Sequence, residues 1–316
     1  MNKIVVTGGA GFIGSMLVRK LLEVKAGDVH VLDNLSSGKE SNLAEVANQI
    51  TLHVADIRNF DAIAAVIAGA RTVYHLAAIP SVPRSIVEPV PSHEVNIDGS
   101  FNVFRAAHEG KVGRVVYAAS SSAYGDTPVL PKTESMVPNP KSPYAAQKLM
   151  GEHYASVFHS CFGLETVSLR FFNVYGPRQD PSSPYSGVLS IFNRCVLEGK
   201  APTIHGDGEQ TRDFTYVEDV AELCIKAASA DSSVCGRVFN AGNGNRYSLN
   251  LVWDLLQQIE GVRISANYSA PREGDVRDSQ AGTKAAVDEL GHAPRFSLEE
   301  GLRRTLEWYR ASVVNA

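Results

Sequence analysis

The chain has 316 residues, 44% hydrophobic and 20% charged, with a net charge of −4 at neutral pH. This composition is typical of a globular protein, and it excludes a general affinity for nucleic acid or anionic membranes, while no apolar run reaches membrane-spanning length. Four cysteines, Cys161, Cys195, Cys224 and Cys235, stand without CxxC pairing, which predicts reduced thiols in a cytoplasmic protein and no metal site.

The first half of the chain alternates short apolar runs with helical patterns, which is typical of βαβ units in a parallel sheet. Runs rich in Val, Ile and Leu suit strands that are covered on both faces. The predicted strands are Ile4–Thr7, Val29–Asp33, Ile50–Val54, Thr72–Leu76, Val115–Ser120 and Thr166–Leu169. The predicted helices cover about 12–24, 59–68, 92–109 and 143–161.

The composition changes after about Asn173, where proline, glycine and serine crowd positions 176–187. Further patterns predict a helix over 217–228, a strand over 238–240 and a closing helix at about 298–312. We therefore predict an α/β fold, a Rossmann-type doubly wound parallel sheet with a smaller mixed α/β substrate domain. The first domain is expected to cover 1–172 plus about 215–243, and the second 173–214 and 244–316.

Three glycines, Gly8, Gly11 and Gly14, follow the first predicted strand and open the first helix. A glycine-rich turn alone would explain the residues, but the order of strand, glycines and helix predicts a dinucleotide site. The glycines would allow a tight turn, close approach of a pyrophosphate and close helix packing, with the phosphates at the helix N-terminus. Asp33 ends the second strand, and a carboxylate there accepts ribose hydroxyls and repels a 2′-phosphate. This favours NAD over NADP.

Tyr144 and Lys148 stand four residues apart in a helical pattern and so share one face. A phenol is a poor base at its reference pKa of about 10, but a nearby ammonium and an oxidised nicotinamide would favour the phenolate. An exposed helix pair is the alternative interpretation. The serines at 120–122 end a predicted strand, where ligands of doubly wound sheets bind, and their hydroxyls would hold a substrate oxygen beside Tyr144.

Together these motifs resemble the extended short-chain dehydrogenase/reductase superfamily, and within it the UDP-N-acetylglucosamine and UDP-glucose 4-epimerases. The resemblance covers nearly the whole chain in order. The segments that carry it are Gly8–Gly14, Asp33, Ser120 with Tyr144 and Lys148, Ser121–Asp126, Arg170–Pro177 and Gly206–Phe214.

The resemblance implies roles for residues along the whole chain. The catalytic residues are Ser120, Tyr144 and Lys148, with Ser121 and Ser122 open as alternatives for the hydroxyl. The implied cofactor-binding residues are Gly8, Gly11, Phe12, Ile13, Gly14, Asp33, Asn34, Ser37, Gly38, Asp56, Ile57, Leu76, Ala77, Ala78, Asn96, Tyr144 and Lys148. The implied substrate-binding residues are Ser81, Arg84, Ser121, Ser122, Asn173, Val188, His205, Arg212, Arg272, Asp275 and Ser279.

The reaction that the resemblance implies is 4-epimerisation of a UDP-sugar. Tyr144 takes the proton from the sugar O4, C4 is oxidised by NAD, and the keto sugar turns over before it is reduced on its other face. Ser279 stands where epimerases restricted to UDP-glucose and UDP-galactose carry a bulky tyrosine. The smaller side chain leaves room for a 2-acetamido group, so we expect UDP-GlcNAc and UDP-GalNAc to be interconverted, with UDP-Glc and UDP-Gal also used.

Three alternatives stay open at this stage. The 4,6-dehydratases normally carry an Asp-Glu pair where this chain has Ser121-Ser122. A UDP-uronic acid decarboxylase or epimerase needs a cation near the sugar, for which Arg84 is a candidate. A non-catalytic NAD-binding scaffold commonly lacks the tyrosine–lysine pair. The resemblance also implies a cytoplasmic homodimer joined by the helices at 92–109 and 143–161, with NAD retained through purification.

Overall fold

A computed structural model describes residues 2–180, 187–271 and 276–314 of the chain. The strands are β1 Lys3–Thr7, β2 Asp28–Asp33, β3 Ile50–Val54, β4 Thr72–His75, β5 Arg114–Ser120, β6 Glu165–Phe171, β7 Val174–Tyr175, β8 Thr203–His205, β9 Thr211–Arg212, β10 Thr215–Tyr216, β11 Arg237–Ala241, β12 Tyr247–Ser248 and β13 Asn267–Ser269.

The helices enclose the strands on both sides. The α-helices are α1 Phe12–Glu23, α2 Phe60–Ile67, α3 Val82–Val87, α4 Pro89–His93, α5 Ser100–Glu109, α6 Pro143–Phe162, α7 Val188–Glu198, α8 Val217–Ser229, α9 Leu249–Glu260, α10 Lys284–Leu290 and α11 Leu298–Val314. Short 3₁₀-helices cover Glu40–Gln49, Ser121–Tyr124 and Ser232–Val234, and a π-helical segment covers Glu94–Gly99.

Seven strands of the described chain form one parallel sheet in the order β11-β6-β5-β4-β1-β2-β3. The chain moves outward from β1 to β3 and then returns through β4 on the other side of β1. This reversal creates the crevice at the carboxyl ends of β1 and β4 where ligands of such sheets bind. The predicted α/β class with a doubly wound Rossmann-type sheet is confirmed.

Both faces of the sheet are buried, because side chains of a strand alternate between them. In β1, Val6 packs with α1 and α8 in one hydrophobic cluster, while Val5 packs with α2, α5 and α6 in another. Burying each such side chain contributes about 1.5–3 kcal/mol. The carboxyl ends of the strands are therefore held at fixed positions between two helical layers.

The second part of the chain has a hydrophobic cluster of its own around Phe192, Trp253 and Leu302, from α7, α9 and α11. Short two-stranded sheets, β7 with β10, β9 with β12 and β8 with β13, connect its loops. The division of the chain into two domains at the predicted residues stays our interpretation.

The predicted helix over 92–109 is confirmed as helical over its whole length, although it is not one continuous α-helix. The segment begins with the short helix α4 and widens into the π-helical turn Glu94–Gly99 before α5 starts at Ser100. The wider turn carries Asn96, whose side chain bonds the backbone of Ile79. The helices α7 and α9 were not predicted, and α7 begins directly after the stretch 176–187 where proline, glycine and serine crowd the sequence.

Three features concern residues 2–180, 187–271 and 276–314, the part of the chain that the structure describes. No helix in these ranges is long and apolar enough to cross a membrane. No group of three or more His, Cys, Asp or Glu side chains in them is placed to hold a metal ion. The four cysteines are free thiols, with Cys161 exposed and the other three buried.

Candidate active site

A cleft of about 1730 Å³ opens at the carboxyl ends of the sheet, between the Rossmann part and the second part of the chain. It brings together residues from sequence positions as distant as Gly8 and Ser279. Every predicted site residue that the structure describes lines this cleft, with the exception of Asn96. Arg272 and Asp275 lie outside the described residues.

The glycines at the start of α1 form a phosphate-sized cradle. Gly8 has a φ of +71°, in the left-handed region that favours glycine. A Cβ on Gly14 would lie 2.1 Å from the carbonyl oxygen of Gly8, so no larger residue fits there without movement. Gly11 caps the helix without a side-chain hydrogen bond, which leaves the first N–H groups of α1 for an anion. The cradle fits a dinucleotide pyrophosphate.

Asp33 is buried at the end of β2, and its carboxylate is fixed by the backbone. Oδ2 accepts a hydrogen bond from the Ala10 N–H at 3.0 Å, and Oδ1 accepts one from the Leu35 N–H at 2.9 Å. A Cβ on Gly38 would lie 2.9 Å from both carboxylate oxygens. The remaining acceptor capacity of the carboxylate is therefore the group presented to a ribose at this end of the cleft.

Asp56 closes the same end of the cleft from β3's side. Its Oδ2 accepts from Asn34 Nδ2 at 2.8 Å and from Arg58 Nη2 at 2.9 Å. The hydrogen bond from the Arg58 side chain is the main cause that lowers the pKa of Asp56 to about 2. The carboxylate thus stays ionised at neutral pH and keeps Asn34 oriented toward the cleft.

Asn96 does not itself line the cleft, so its place among the cofactor-binding residues stays a prediction. Its side chain is buried, with Oδ1 accepting from the Ile79 N–H at 2.8 Å and Nδ2 donating to the Ile79 carbonyl at 3.1 Å. Nδ2 also donates to Gln147 Oε1 at 2.9 Å. Asn96 therefore fixes the backbone just beyond Leu76–Ala78, the segment that forms the cleft wall.

Tyr144 and Lys148 lie on the cleft-facing side of α6, as predicted from their spacing. Ser142 caps the helix by accepting from the Ala145 N–H at 3.2 Å, and Pro143 takes the first position, where no N–H is needed. The Tyr144 N–H donates to Ser85 Oγ at 3.1 Å. Lys148 is buried, and its Nζ donates to the Ala118 carbonyl at 2.8 Å.

The Ser120 hydroxyl is placed at the cleft that Tyr144 also lines. It also accepts from Ser122 Oγ at 2.8 Å and from the Ser122 N–H at 3.2 Å, because Ser120 caps the 3₁₀-helix that follows β5. Ser121 and Ser122 line the cleft beside it. This arrangement favours Ser120 over its two neighbours as the hydroxyl that works with Tyr144.

Burial shifts the two titratable groups in opposite directions. It raises the pKa of Tyr144 to about 12, against the opposing hydrogen bond from Ser120. It lowers the pKa of Lys148 to about 8, against the opposing charge of Glu152. In the protein without a bound cofactor, Tyr144 is therefore a protonated phenol at neutral pH. A further positive charge in the cleft lowers the phenol pKa and makes Tyr144 a usable base.

The opposite wall carries the predicted substrate residues of the second part. Asn173, Val188, His205, Arg212 and Ser279 line it. Arg212 Nη1 donates to the Thr211 carbonyl at 2.9 Å, and the Ser279 N–H donates to the same carbonyl at 3.1 Å. His205 Nδ1 is 2.8 Å from Ser269 Oγ.

The loop after β4 carries Ser81 and Arg84. Ser81 Oγ accepts from the Arg84 N–H at 3.1 Å and caps α3. Arg84 Nε donates to Glu88 Oε2 at 3.0 Å, so its charge is partly compensated within its own helix region. Ser81 therefore fixes the loop, and Arg84 borders the cleft with its charge partly compensated by Glu88.

Ion pairs that no sequence pattern predicted join the two walls at the cleft mouth. Arg178 pairs with Glu45 at 3.1 Å, and Lys39 Nζ pairs with Asp180 at 2.7 Å. Lys132, which is buried, also lines the cleft. The partners of these two ion pairs are 133 and 141 residues apart in the sequence, so no local pattern predicts them. The positive φ of Arg178, which follows Gly176-Pro177, is likewise visible only in the structure.

Comparisons with known proteins agree with this geometry. The family model described as NAD dependent epimerase/dehydratase family matches residues 4–242. The putative UDP-glucose 4-epimerase of Methanocaldococcus jannaschii is 38% identical over 309 residues, which are 97% of this chain and 98% of the relative.

Two solved structures are similar over almost their whole length. The UDP-N-acetylglucosamine 4-epimerase from Methanobrevibacter ruminantium M1, in complex with UDP-N-acetylmuramic acid, has a TM-score of 0.93 at 38% identity, covering 98% of this chain and 99% of that chain. The UDP-glucose 4-epimerase from Thermotoga maritima, with UDP-glucose, has a TM-score of 0.93 at 37% identity with the same coverage.

Proposed function

Because the chain belongs to the NAD dependent epimerase/dehydratase family, we propose that it interconverts UDP-GlcNAc and UDP-GalNAc, and that it also accepts UDP-Glc and UDP-Gal. At the coarser level it is an NAD-dependent UDP-sugar 4-epimerase, and NAD is its cofactor. The superfamily resemblance drawn from the sequence is thereby confirmed. The sugar pair is the part that we propose.

The observation that carries the proposal is the position of Ser279. The side chain lines the cleft on the wall opposite Tyr144, and its backbone is tied to Thr211 beside Arg212. A serine there occupies far less volume than an aromatic ring, so the sugar end of the cleft has room for a 2-acetamido group. Because extra room does not exclude a smaller sugar, UDP-Glc remains a substrate in this proposal.

The chain's own groups supply the proton transfers of the reaction. Tyr144 accepts the proton of the sugar O4 hydroxyl and returns it at the end of the cycle, and Ser120 holds that oxygen by a hydrogen bond. When bound, NAD supplies the reversible oxidation at C4 of the sugar. Lys148 adds a positive charge next to the phenolate and so lowers the pKa of Tyr144 toward working pH.

The remaining residues bind and orient the nucleotide part. In our proposal Asn173 and Arg212 hold the UDP, since a guanidinium offers fork-like, charge-assisted hydrogen bonds to a diphosphate. Val188 and His205 complete the nucleotide pocket. Arg272 and Asp275 are assigned to the same role from the sequence alone. Holding the UDP while the keto sugar turns over keeps both faces of C4 within reach of the same machinery.

We also propose a cytoplasmic homodimer. Helices α5 and α6 pack side by side and leave large apolar side chains exposed, among them Phe101, Met150, Val157 and Phe162 at 38%, 42%, 46% and 52% exposure. A second copy placed on this face would bury them in a four-helix bundle. Sedimentation of the purified chain tests this, and a Val157→Asp variant is expected to sediment as a monomer.

The function is tested by a proton NMR time course of the purified protein with UDP-GlcNAc, and separately with UDP-Glc, without added NAD. Galacto-configured product from both, faster with UDP-GlcNAc, is the expected result. Product from UDP-Glc alone keeps the 4-epimerase activity and contradicts the pocket argument. No product from either, even after NAD is added, leads to the same assay with UDP-uronic acids.

A further inference from the structure

A buried network of hydrogen bonds, linked by one ring contact, runs beneath the cleft floor, from the cofactor wall to the helix that carries the catalytic pair. The Ala77 N–H donates to Thr7 Oγ1 at 3.2 Å, and Thr7 Oγ1 is 2.8 Å from His75 Nδ1. His75 Nε2 is 3.0 Å from Ser100 Oγ. The His75 ring packs against the ring of Tyr117, with the two centroids 5.5 Å apart, and the Tyr117 hydroxyl donates to the Lys148 carbonyl at 3.4 Å.

The donors and acceptors of this network are consistent with a single direction. Thr7 accepts from Ala77 and donates to His75 Nδ1, so the neutral imidazole carries its proton on Nε2 and donates it to Ser100. On the other side of the His75 ring, Tyr117 donates to the Lys148 carbonyl. Burial, with the nearby charge of Lys148, lowers the pKa of His75 to about 3. The ring therefore stays neutral at working pH and the direction is kept.

Gly151 makes the last link possible. A Cβ at this position would lie 2.1 Å from the hydroxyl oxygen of Tyr117, so only glycine leaves a notch through which that hydroxyl reaches the α6 backbone. The ring of Tyr117 also lies under the lysine side chain, with Lys148 Nζ 5.0 Å from the ring centroid. Tyr117 thus contacts Lys148 twice, at its backbone carbonyl and at its ammonium.

We propose that Tyr117, with His75 and Ser100 behind it, is a positioning residue that holds Lys148 at a fixed distance from Tyr144. The inference rests on the proposed role of Tyr144 as the base. An ammonium stabilises a phenolate to a degree that depends on the distance between the two groups and on how firmly the ammonium is held. A turn of α6 that is free to shift loses part of that stabilisation.

Other charged and titratable groups around Lys148 set the background. Tyr144 and Glu152 lie on α6 itself, His75 faces it from β4, and Tyr117 faces it from β5. Glu152 is held in a buried ion pair with Arg170 at 2.7 Å. Because these charges stay in place when one hydroxyl is removed from Tyr117, a change in the Tyr144 pKa in such a variant reports on the position of Lys148.

The chain provides a matched control in its second part. Tyr175 is also buried, its hydroxyl donates to the Leu298 carbonyl at 3.3 Å, and a Cβ on Gly301 would lie 2.1 Å from that hydroxyl. Tyr175 does not line the cleft. Tyr117→Phe and Tyr175→Phe therefore each remove one buried tyrosine–carbonyl hydrogen bond, and one of the two lies under the catalytic lysine.

The experiment titrates Tyr144 in NAD-loaded protein by phenolate absorbance. Wild type, Tyr117→Phe and Tyr175→Phe are each titrated with and without the additional change Tyr144→Phe, and the difference between the two curves is the titration of Tyr144. No sugar is needed. We expect Tyr117→Phe to raise the apparent pKa of Tyr144 by about half a unit to one unit, because the ammonium is held less firmly. Tyr175→Phe leaves that pKa unchanged, and both variants lower the melting temperature by similar amounts.

Equal Tyr144 pKa values in wild type and Tyr117→Phe would overturn the proposal. Should Tyr117→Phe not fold, Ser100→Ala removes the hydrogen-bond partner of His75 behind the Tyr117 ring and is expected to shift the same pKa in the same direction. The Tyr144 pKa can be higher in Tyr117→Phe than in wild type while the wild type epimerises no UDP-sugar in the NMR assay. In that case the proposed function fails and the positioning role stands.

Discussion

The two walls of the cleft are built in different ways. The cofactor wall consists of short segments at the ends of neighbouring parallel strands, such as Gly8–Gly14 after β1 and Leu76–Ala78 after β4. The substrate wall consists of loops from distant sequence positions, joined by two-residue strands such as β9 and β12. The cofactor and the proton chemistry thus depend on a rigid sheet, while the choice of sugar depends on loops that can change independently.

The largest effect is expected where the rigid wall carries the base. Tyr144→Phe keeps the ring and removes the phenol oxygen, so kcat is expected to fall by about 10²- to 10⁴-fold, the range that a positioned general base contributes. The NAD content after purification is expected to equal that of wild type. The measurement is kcat by NMR together with NAD released on denaturation.

Retained turnover in Tyr144→Phe would remove Tyr144 as the base. A loss of bound NAD along with activity would instead assign Tyr144 a binding role. Tyr175→Phe, which removes a buried hydroxyl remote from the cleft, serves as the control for a general loss of stability.

The next largest effect concerns the glycine cradle. Gly14→Ala places a Cβ 2.1 Å from the Gly8 carbonyl oxygen, a backbone atom that cannot move without opening the turn. We expect NAD occupancy after purification to fall by about tenfold or more, since a shift of the helix N-terminus weakens its hydrogen bonds to phosphate. Gly69→Ala is the control for a general loss of stability, because its φ of +69° strains an alanine although a Cβ there meets no atom within 4 Å.

Unchanged NAD content in Gly14→Ala would show that the turn adapts and that the cradle is not the rigid element described here. Equal losses in both variants would indicate a general effect of glycine replacement. Either result would weaken the contrast between a rigid cofactor wall and an adaptable substrate wall.

The segments predicted for the cofactor wall lie together in the structure, because strand, glycines and helix follow one another within a few residues and Asp33 falls at the end of the next strand. The sequence did not predict the π-helical turn at Glu94–Gly99, in which Asn96 accepts a hydrogen bond from the Ile79 backbone. The contacts beneath Lys148 could not be predicted from the sequence either, since His75, Ser100 and Tyr117 belong to separate elements. Pairing between distant segments is set by packing of the whole sheet, which no local pattern encodes.

A selective effect is expected on the substrate wall. Ser279→Tyr fills the space beside Thr211, so turnover of UDP-GlcNAc is expected to fall about tenfold while that of UDP-Glc changes less than about twofold, within the range by which pocket size discriminates substrates. Competing the two sugars in one NMR sample measures the ratio directly. Equal losses on both sugars would count against the proposed acetamido pocket, and NAD content should stay at the wild-type level.

The smallest effect is expected at the mouth, where ion pairs join the two walls. Glu45 accepts from both Arg19 and Arg178, and its side chain is 71% exposed. An exposed pair of this kind contributes only about 0–1 kcal/mol, so Glu45→Gln is expected to speed NAD release by no more than about fivefold at low salt. High salt screens the wild-type contact and should remove the difference. Stopped-flow release of NAD measures both rates, with Glu109→Gln, which breaks an ion pair within α5, as the control.

A release rate unaffected by Glu45→Gln at low salt would mean that the walls are joined by their packing alone. The two walls would then act as one rigid body, and the substrate loops would be less free to change independently than their construction suggests.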